Sequence, residues 1–157
     1  MMNTNTYTLK QDQIGGDFKN LLEAAKKYAS FFGFVIQDEL GIDNNCQSVI
    51  EELGAYKIKE SLESSWPGTK LSGSKKARVF CFKYDSDSLI VLLKVSNSFH
   101  EWVQPNLPED LFFLRKDKSV WFVNISHEKD SYFNLGENEL ESLLIDLPHL
   151  EKMIEKE

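Results

Sequence analysis

Ala77-Arg78-Val79-Phe80-Cys81-Phe82-Lys83-Tyr84 alternates with a period of two. Phe80, Phe82 and Tyr84 fall on one side and Val79 and Cys81 on the other, because successive side chains of a strand point to opposite faces. Apolar residues on both faces predict a strand in the interior of a sheet. Downstream, Leu111 to Arg115 and Ser119 to Ser126 read as two further strands. Lys116-Asp117-Lys118 is a connection of hairpin length between them, and Trp121, Val123 and Ile125 line one face of the second. A short strand around Tyr132 to Asn134 extends this meander. Residues 87–96 admit two readings: Leu89 to Leu93 suits a strand, whereas Asp85 and Asp87 supply capping oxygens, and a short helix is favoured.

Upstream, Asp17 precedes Phe18, Leu21, Leu22, Ala25, Ala29 and Phe32, the stripe of an amphipathic helix that the Asp17 side chain is expected to cap. Gly33 is its stop, unless Phe34, Val35 and Ile36 carry it on toward Gly41. Asn44 with Gln47 starts a second helix, which places Cys46, Val49, Ile50 and Leu53 on one face and runs to about Ser64. Trp66-Pro67-Gly68-Thr69 is a turn. After Gly136, the residues Leu140, Leu143, Leu144 and Leu147 predict a terminal helix, interrupted near Pro148 and followed by a charged tail. The sum is an α+β fold: a small, mainly antiparallel sheet of about three to five strands packed with N-terminal helices and a C-terminal helix. Residues 1–14 read as a polar tail. Residues 15–157 read as a single domain, helical over 15–64, sheet-rich over 77–135 and helical again over 136–157.

Apolar residues make up 41% of the 157-residue chain and charged residues 27%, which favours neither a disordered nor a fibrous class. The 11 phenylalanines are read as core. Acidic residues outnumber basic ones 25 to 18, a net charge of -7, which argues against nucleic acid as a partner. Lys70 to Arg78, the one basic cluster, reads as a solvated loop. No apolar run approaches the ~20 residues of a membrane span, and the first ten residues do not resemble a secretory signal, so a cytoplasmic protein is expected. Cys46 and Cys81 are read as reduced thiols.

Chemistry is sought first at the pairs His100-Glu101 and His127-Glu128. Catalysis would need His127, Glu128, His100 and Asp110 to converge where strands end. Neither pair carries a second His four residues on, so no metal site is predicted, and neighbours on a strand point apart. No cofactor is expected, since no glycine-rich phosphate loop, nucleophile elbow or Cys-x-x-Cys is present. Trp66, Trp102, Glu109 and Trp121 are candidate binding residues in an aromatic, proline-stiffened stretch, for which an architectural role is favoured.

Several spaced motifs carry a resemblance: Trp66-Pro67-Gly68-Thr69, Glu101-Trp102 with Pro105, Leu107-Pro108-Glu109-Asp110-Leu111, and Trp121 followed by Ile125-Ser126-His127-Glu128. Over about residues 61–147 the chain resembles an uncharacterised family of small single-domain bacterial proteins, some of which carry the name stage III sporulation protein. The resemblance implies a small single domain and no particular activity. Two readings of function stay open. One is a cytoplasmic protein-binding module, an inhibitor or immunity-type neutraliser, whose acidity steers a basic partner. The other is a hydrolase-like or metal-binding enzyme built on the His-Glu pairs.

Overall fold

The computed structural model describes residues 2–157. In chain order the strands are β1 (Asn5–Leu9), β2 (Phe31–Ile36), β3 (Lys57–Glu63), β4 (Ser65–Trp66), β5 (Thr69–Lys70), β6 (Ala77–Lys83), β7 (Glu109–Leu114), β8 (Val120–Ile125), β9 (Asp130–Leu135) and β10 (Ile154–Lys156). The α-helices are α1 (Gly16–Ala25), α2 (Asn44–Leu53), α3 (Ser86–Val95) and α4 (Glu137–Asp146). Eight strands form one antiparallel sheet in the order β10-β1-β9-β8-β7-β2-β6-β3, and β4 and β5 form a separate hairpin.

The expected sheet of three to five strands flanked by an all-helical N-terminal part is therefore corrected to an eight-stranded sheet that draws on the whole chain. Phe31 to Ile36 do not prolong α1 but form β2, paired with β6 and β7. A run that is apolar on both faces suits a central strand as well as it suits a helix, and pairing on both sides decides between them. α2 ends at Leu53, so Lys57 to Glu63 are a strand rather than helix. Asn5 to Leu9, read as tail, lie between β9 and β10, and Ile154 to Lys156 close the sheet against them.

Local chemistry explains the helix starts. Asp85 Oδ1 accepts from the backbone N–H groups of Asp87 and Ser88, both at 3.0 Å, and Ser88 Oγ accepts from Asp85 N, a complete capping box for α3. Asp43, not Asn44, caps α2, its Oδ1 accepting from Cys46 N at 2.9 Å. α1 starts without a side-chain cap, behind Gly15, whose φ of 62° is left-handed; Asp17 sits in the first turn. Glu139 Oε1 accepts from Gly136 N at 3.0 Å, and the same carboxylate takes both Nε (2.9 Å) and Nη2 (2.6 Å) of the nearly buried Arg115, which ties α4 to the end of β7.

All four helices cover one sheet face. Phe18, Leu21, Cys46, Leu53, Leu92 and Leu143 from the helices belong to one continuous core with Phe32, Phe82, Phe113, Phe122 and Phe133 of the sheet. The opposite face carries only the β4–β5 hairpin, under which Trp66, Val35 and Ala77 form a second, small cluster. Gly68, at φ 90°, lets the Trp66-Pro67-Gly68-Thr69 turn close, and a Cβ there would come within 2.6 Å of Val123 Cγ1. Among the described residues no helix is long and apolar enough to cross a membrane.

Candidate functional site

The separately spaced motifs meet at one point, the start of β7. β2 pairs Gly33 with Phe112 and Val35 with Glu109, so three steps along β7 oppose two along β2, and the extra residue makes a bulge. Asp110 occupies it at φ 58°, a left-handed conformation that Asp tolerates better than most residues. The bulge turns the Asp110 carboxylate toward the hairpin. Its Oδ2 accepts from Trp66 Nε1 at 3.0 Å and its Oδ1 from Ser126 N at 3.0 Å, all three groups being buried.

Glu109, one residue earlier, is fully buried. Its Oε1 accepts from Gln104 N at 2.6 Å. His127 Nε2 stands 3.1 Å from the other oxygen, Oε2, near enough for an ion pair, although the orientation is not that of a hydrogen bond. The imidazole side chain is 55% exposed while the carboxylate is not exposed at all, so only one member of the pair meets solvent.

Around this pair the remaining polar groups are engaged with one another. Ser126 Oγ donates to Trp102 O and accepts from Asn124 Nδ2; Asn124 Nδ2 also donates to Phe99 O at 2.8 Å, and Ser131 Oγ donates to Asn124 Oδ1. Gln104 Nε2 donates to Gln37 O (3.0 Å) and Gly41 O (2.8 Å), while its Oε1 accepts from Gln37 N. A Ser hydroxyl committed in this way is not a nucleophile awaiting a base, since an activated Ser donates to the base itself. Gln104, Asn124 and Ser126 were not singled out by the sequence reading, and no spacing distinguishes them from other polar residues.

The remaining candidates have other surroundings. His100 Nδ1 lies 3.6 Å from Asp12 Oδ2, and Glu128 is exposed. Trp102 is completely buried against Phe34, and its indole N–H finds no acceptor, whereas buried tryptophans usually have one. Trp121 is likewise buried, stacked on Tyr28 with ring centroids 5.3 Å apart. Among the described residues no three His, Cys, Asp or Glu side chains are grouped to hold a metal ion.

Burial raises the pKa of Glu109, opposed by the hydrogen bond from Gln104 N and by the nearby His127. Burial likewise raises that of Asp110, opposed by Ser126 N and Trp66. A carboxyl raised in the folded state takes up its proton before the unfolded chain does. Stability therefore rises as pH falls from the folded pKa toward the ordinary glutamate value of about 4.3. The lowered carboxyls of Asp85 and Asp117 act in the opposite sense, and only below the ordinary aspartate range. Glu109→Gln is accordingly expected to gain relative to the wild type at neutral pH and to lose that gain on acidification, with a slope of at most about 1.4 kcal/mol per pH unit. Urea unfolding of both proteins at a series of pH values measures it, and parallel curves would mean that Glu109 titrates normally.

No protein-family model, curated protein or solved structure that was compared with the chain matches it.

Proposed function

We propose that the chain is a protein-binding module that takes an extended segment of its partner onto the outer edge of β3. The observation that carries this reading is the asymmetry of the two sheet edges. β10 is three residues long, whereas β3 runs for seven residues, pairs only with β6 and leaves Ile58 50% and Leu62 62% exposed. An unpaired edge offers a row of backbone donors and acceptors to an incoming strand, and exposed apolar side chains beside it supply contact area. Lys57, Lys59 and the one-residue register shift between them blunt the first turn of that edge against indiscriminate pairing. The stretch from Glu60 to Glu63 is the part left regular. A net charge of -7 favours encounter with a basic partner, as an inhibitor or immunity-type neutraliser requires. The two free thiols suit a cytoplasmic setting.

The enzyme reading draws less support. Its one assembled pair, Glu109 with His127, has a carboxylate closed off from solvent and a neighbouring hydroxyl already engaged. The binding reading is tested by cross-linked co-purification from the native host, run in parallel with wild type and an Ile58→Glu/Leu62→Glu variant. A specific partner is expected with the wild type, lost with the variant, and bound so that β3 amides gain protection from hydrogen exchange. Recovery of the same proteins by both forms, or of the wild type alone, would overturn it.

A further inference from the structure

The sheet face opposite the helices is only partly covered by the hairpin, and beside the hairpin it holds a groove of about 280 Å³. Its floor is apolar: Val79 and Cys81 of β6, and Phe112 and Leu114 of β7. Between those strands lies β2, where Gly33 has no side chain and the Phe112 ring lies across the gap.

The two ends of the groove differ in charge. Lys59 pairs with Cys81, two residues from Lys83, which pairs with Phe31, and Phe31 pairs in turn with Leu114. Lys118, in the β7–β8 turn, holds its Nζ 4.7 Å from the centroid of the Phe31 ring. Both lysines thus line the part of the groove away from the hairpin. At the other end are Trp66 and Pro67 of the hairpin, with Glu63, which pairs with Ala77. Lys27, Lys57, Lys83 and Lys94 each have a carboxylate at ion-pairing distance, and among the described residues neither Lys59 nor Lys118 has one. Both also act on the Cys81 thiol: burial raises its pKa, and Lys118 and Lys59 oppose that rise. Lys118 keeps this position at φ 73°, a conformation glycine would adopt at lower cost.

We propose that this groove binds a small amphipathic monoanion, a carboxylate on a single aromatic ring or a short alkyl chain. The head group would lie between Lys59 and Lys118 and the apolar body over Cys81 and Phe112 toward Pro67. The size fits. An apolar cavity of ~150 Å³ holds benzene and drug-sized ligands need ~300 Å³ or more, so the groove has room for one ring or a short chain with its carboxylate. Glu63 at the hairpin end disfavours the reversed orientation and a second carboxylate. Strand addition at β3 would use the backbone of that strand's outer edge, whereas the groove uses Lys59 on its face, so titration with octanoate tests the groove without testing strand addition.

Cys81, half-buried in the floor, is a built-in reporter, and the fully buried Cys46 is its internal control. Octanoate, with uncharged octanamide for comparison, is titrated by calorimetry and by the rate at which N-ethylmaleimide alkylates Cys81. Octanoate is expected to bind saturably and to slow alkylation several-fold, with octanamide much weaker. Lys59→Gln/Lys118→Gln, two exposed positions, is expected to raise the octanoate Kd about tenfold with the unfolding midpoint unchanged. Absence of saturable octanoate binding at millimolar concentration would overturn the proposal. So would equal protection by octanamide, or equal octanoate affinity in the double variant.

Discussion

Gly33→Val is expected to destabilise the protein by about 3 kcal/mol, the upper part of the range for overpacking a well-filled site. Gly33 lies in β2 between β6 and β7, and its φ is not in the left-handed region, so the whole effect is one of space. A Cβ there would stand 2.2 Å from Phe112 Cζ and 2.4 Å from the backbone oxygen of Phe80. The ring can move, at the cost of exposing the groove floor. The oxygen belongs to the β2–β6 ladder and moves only if those two strands separate. Gly33→Ala is expected to do less than valine but still to lower the midpoint of urea unfolding clearly. Combining it with Phe112→Leu, which removes the Cζ contact and leaves the Phe80 contact, is expected to recover part of the loss and so to give a favourable coupling energy. Strict additivity of the two changes would mean that the ring is not what the new side chain meets.

The same position shows why only part of this fold was legible beforehand. Signals whose partners lie within a few residues read well: Asp85 and Ser88 cap α3 across a single turn, and Lys116-Asp117-Lys118 joins neighbouring strands. Phe31 to Ile36 misled because the stripe from Phe18 to Ala29 runs straight into them, and an apolar run without a period is silent between helix and central strand. β1 and β10 were hidden for a different reason. Tyr7 pairs with Phe133 on one side and Lys156 on the other; Thr6-Tyr7-Thr8-Leu9 does alternate, with Tyr7 and Leu9 buried, but so short a run in a polar segment reads as tail, and Ile154 to Lys156 are too few to show a period. The candidate site was half visible. Trp66, Glu109, Asp110 and His127 stood out by type, but their meeting depends on a one-residue bulge in β7, and Gln104, Asn124 and Ser126 join them through hydrogen bonds that no spacing announces.

At that bulge, Asp110→Ala is expected to cost about 3 kcal/mol, with Asp110→Asn the mildest of three substitutions and alanine the worst. The carboxylate satisfies two buried donors, the Trp66 indole N–H and the Ser126 amide, and each donor left unpaired costs roughly 1–3 kcal/mol. Against this stands the unfavourable burial of Asp110 itself, which raises its pKa and keeps the net loss below the sum of the two bonds. Asparagine retains one oxygen acceptor and tolerates the left-handed backbone at φ 58°, so it forfeits about one of the two bonds. Glycine forfeits both but relaxes the backbone, which returns roughly 1 kcal/mol; alanine forfeits both and keeps the strained φ. The order Asn, Gly, Ala in urea unfolding, with a displaced Trp66 indole N–H resonance in the two variants that lack an acceptor, is the expected outcome. If alanine proved as stable as the wild type while that resonance moved, the tie between hairpin and β7 would carry no net stability. The meeting of Trp66, Asp110 and Ser126 would then need a reason other than architecture.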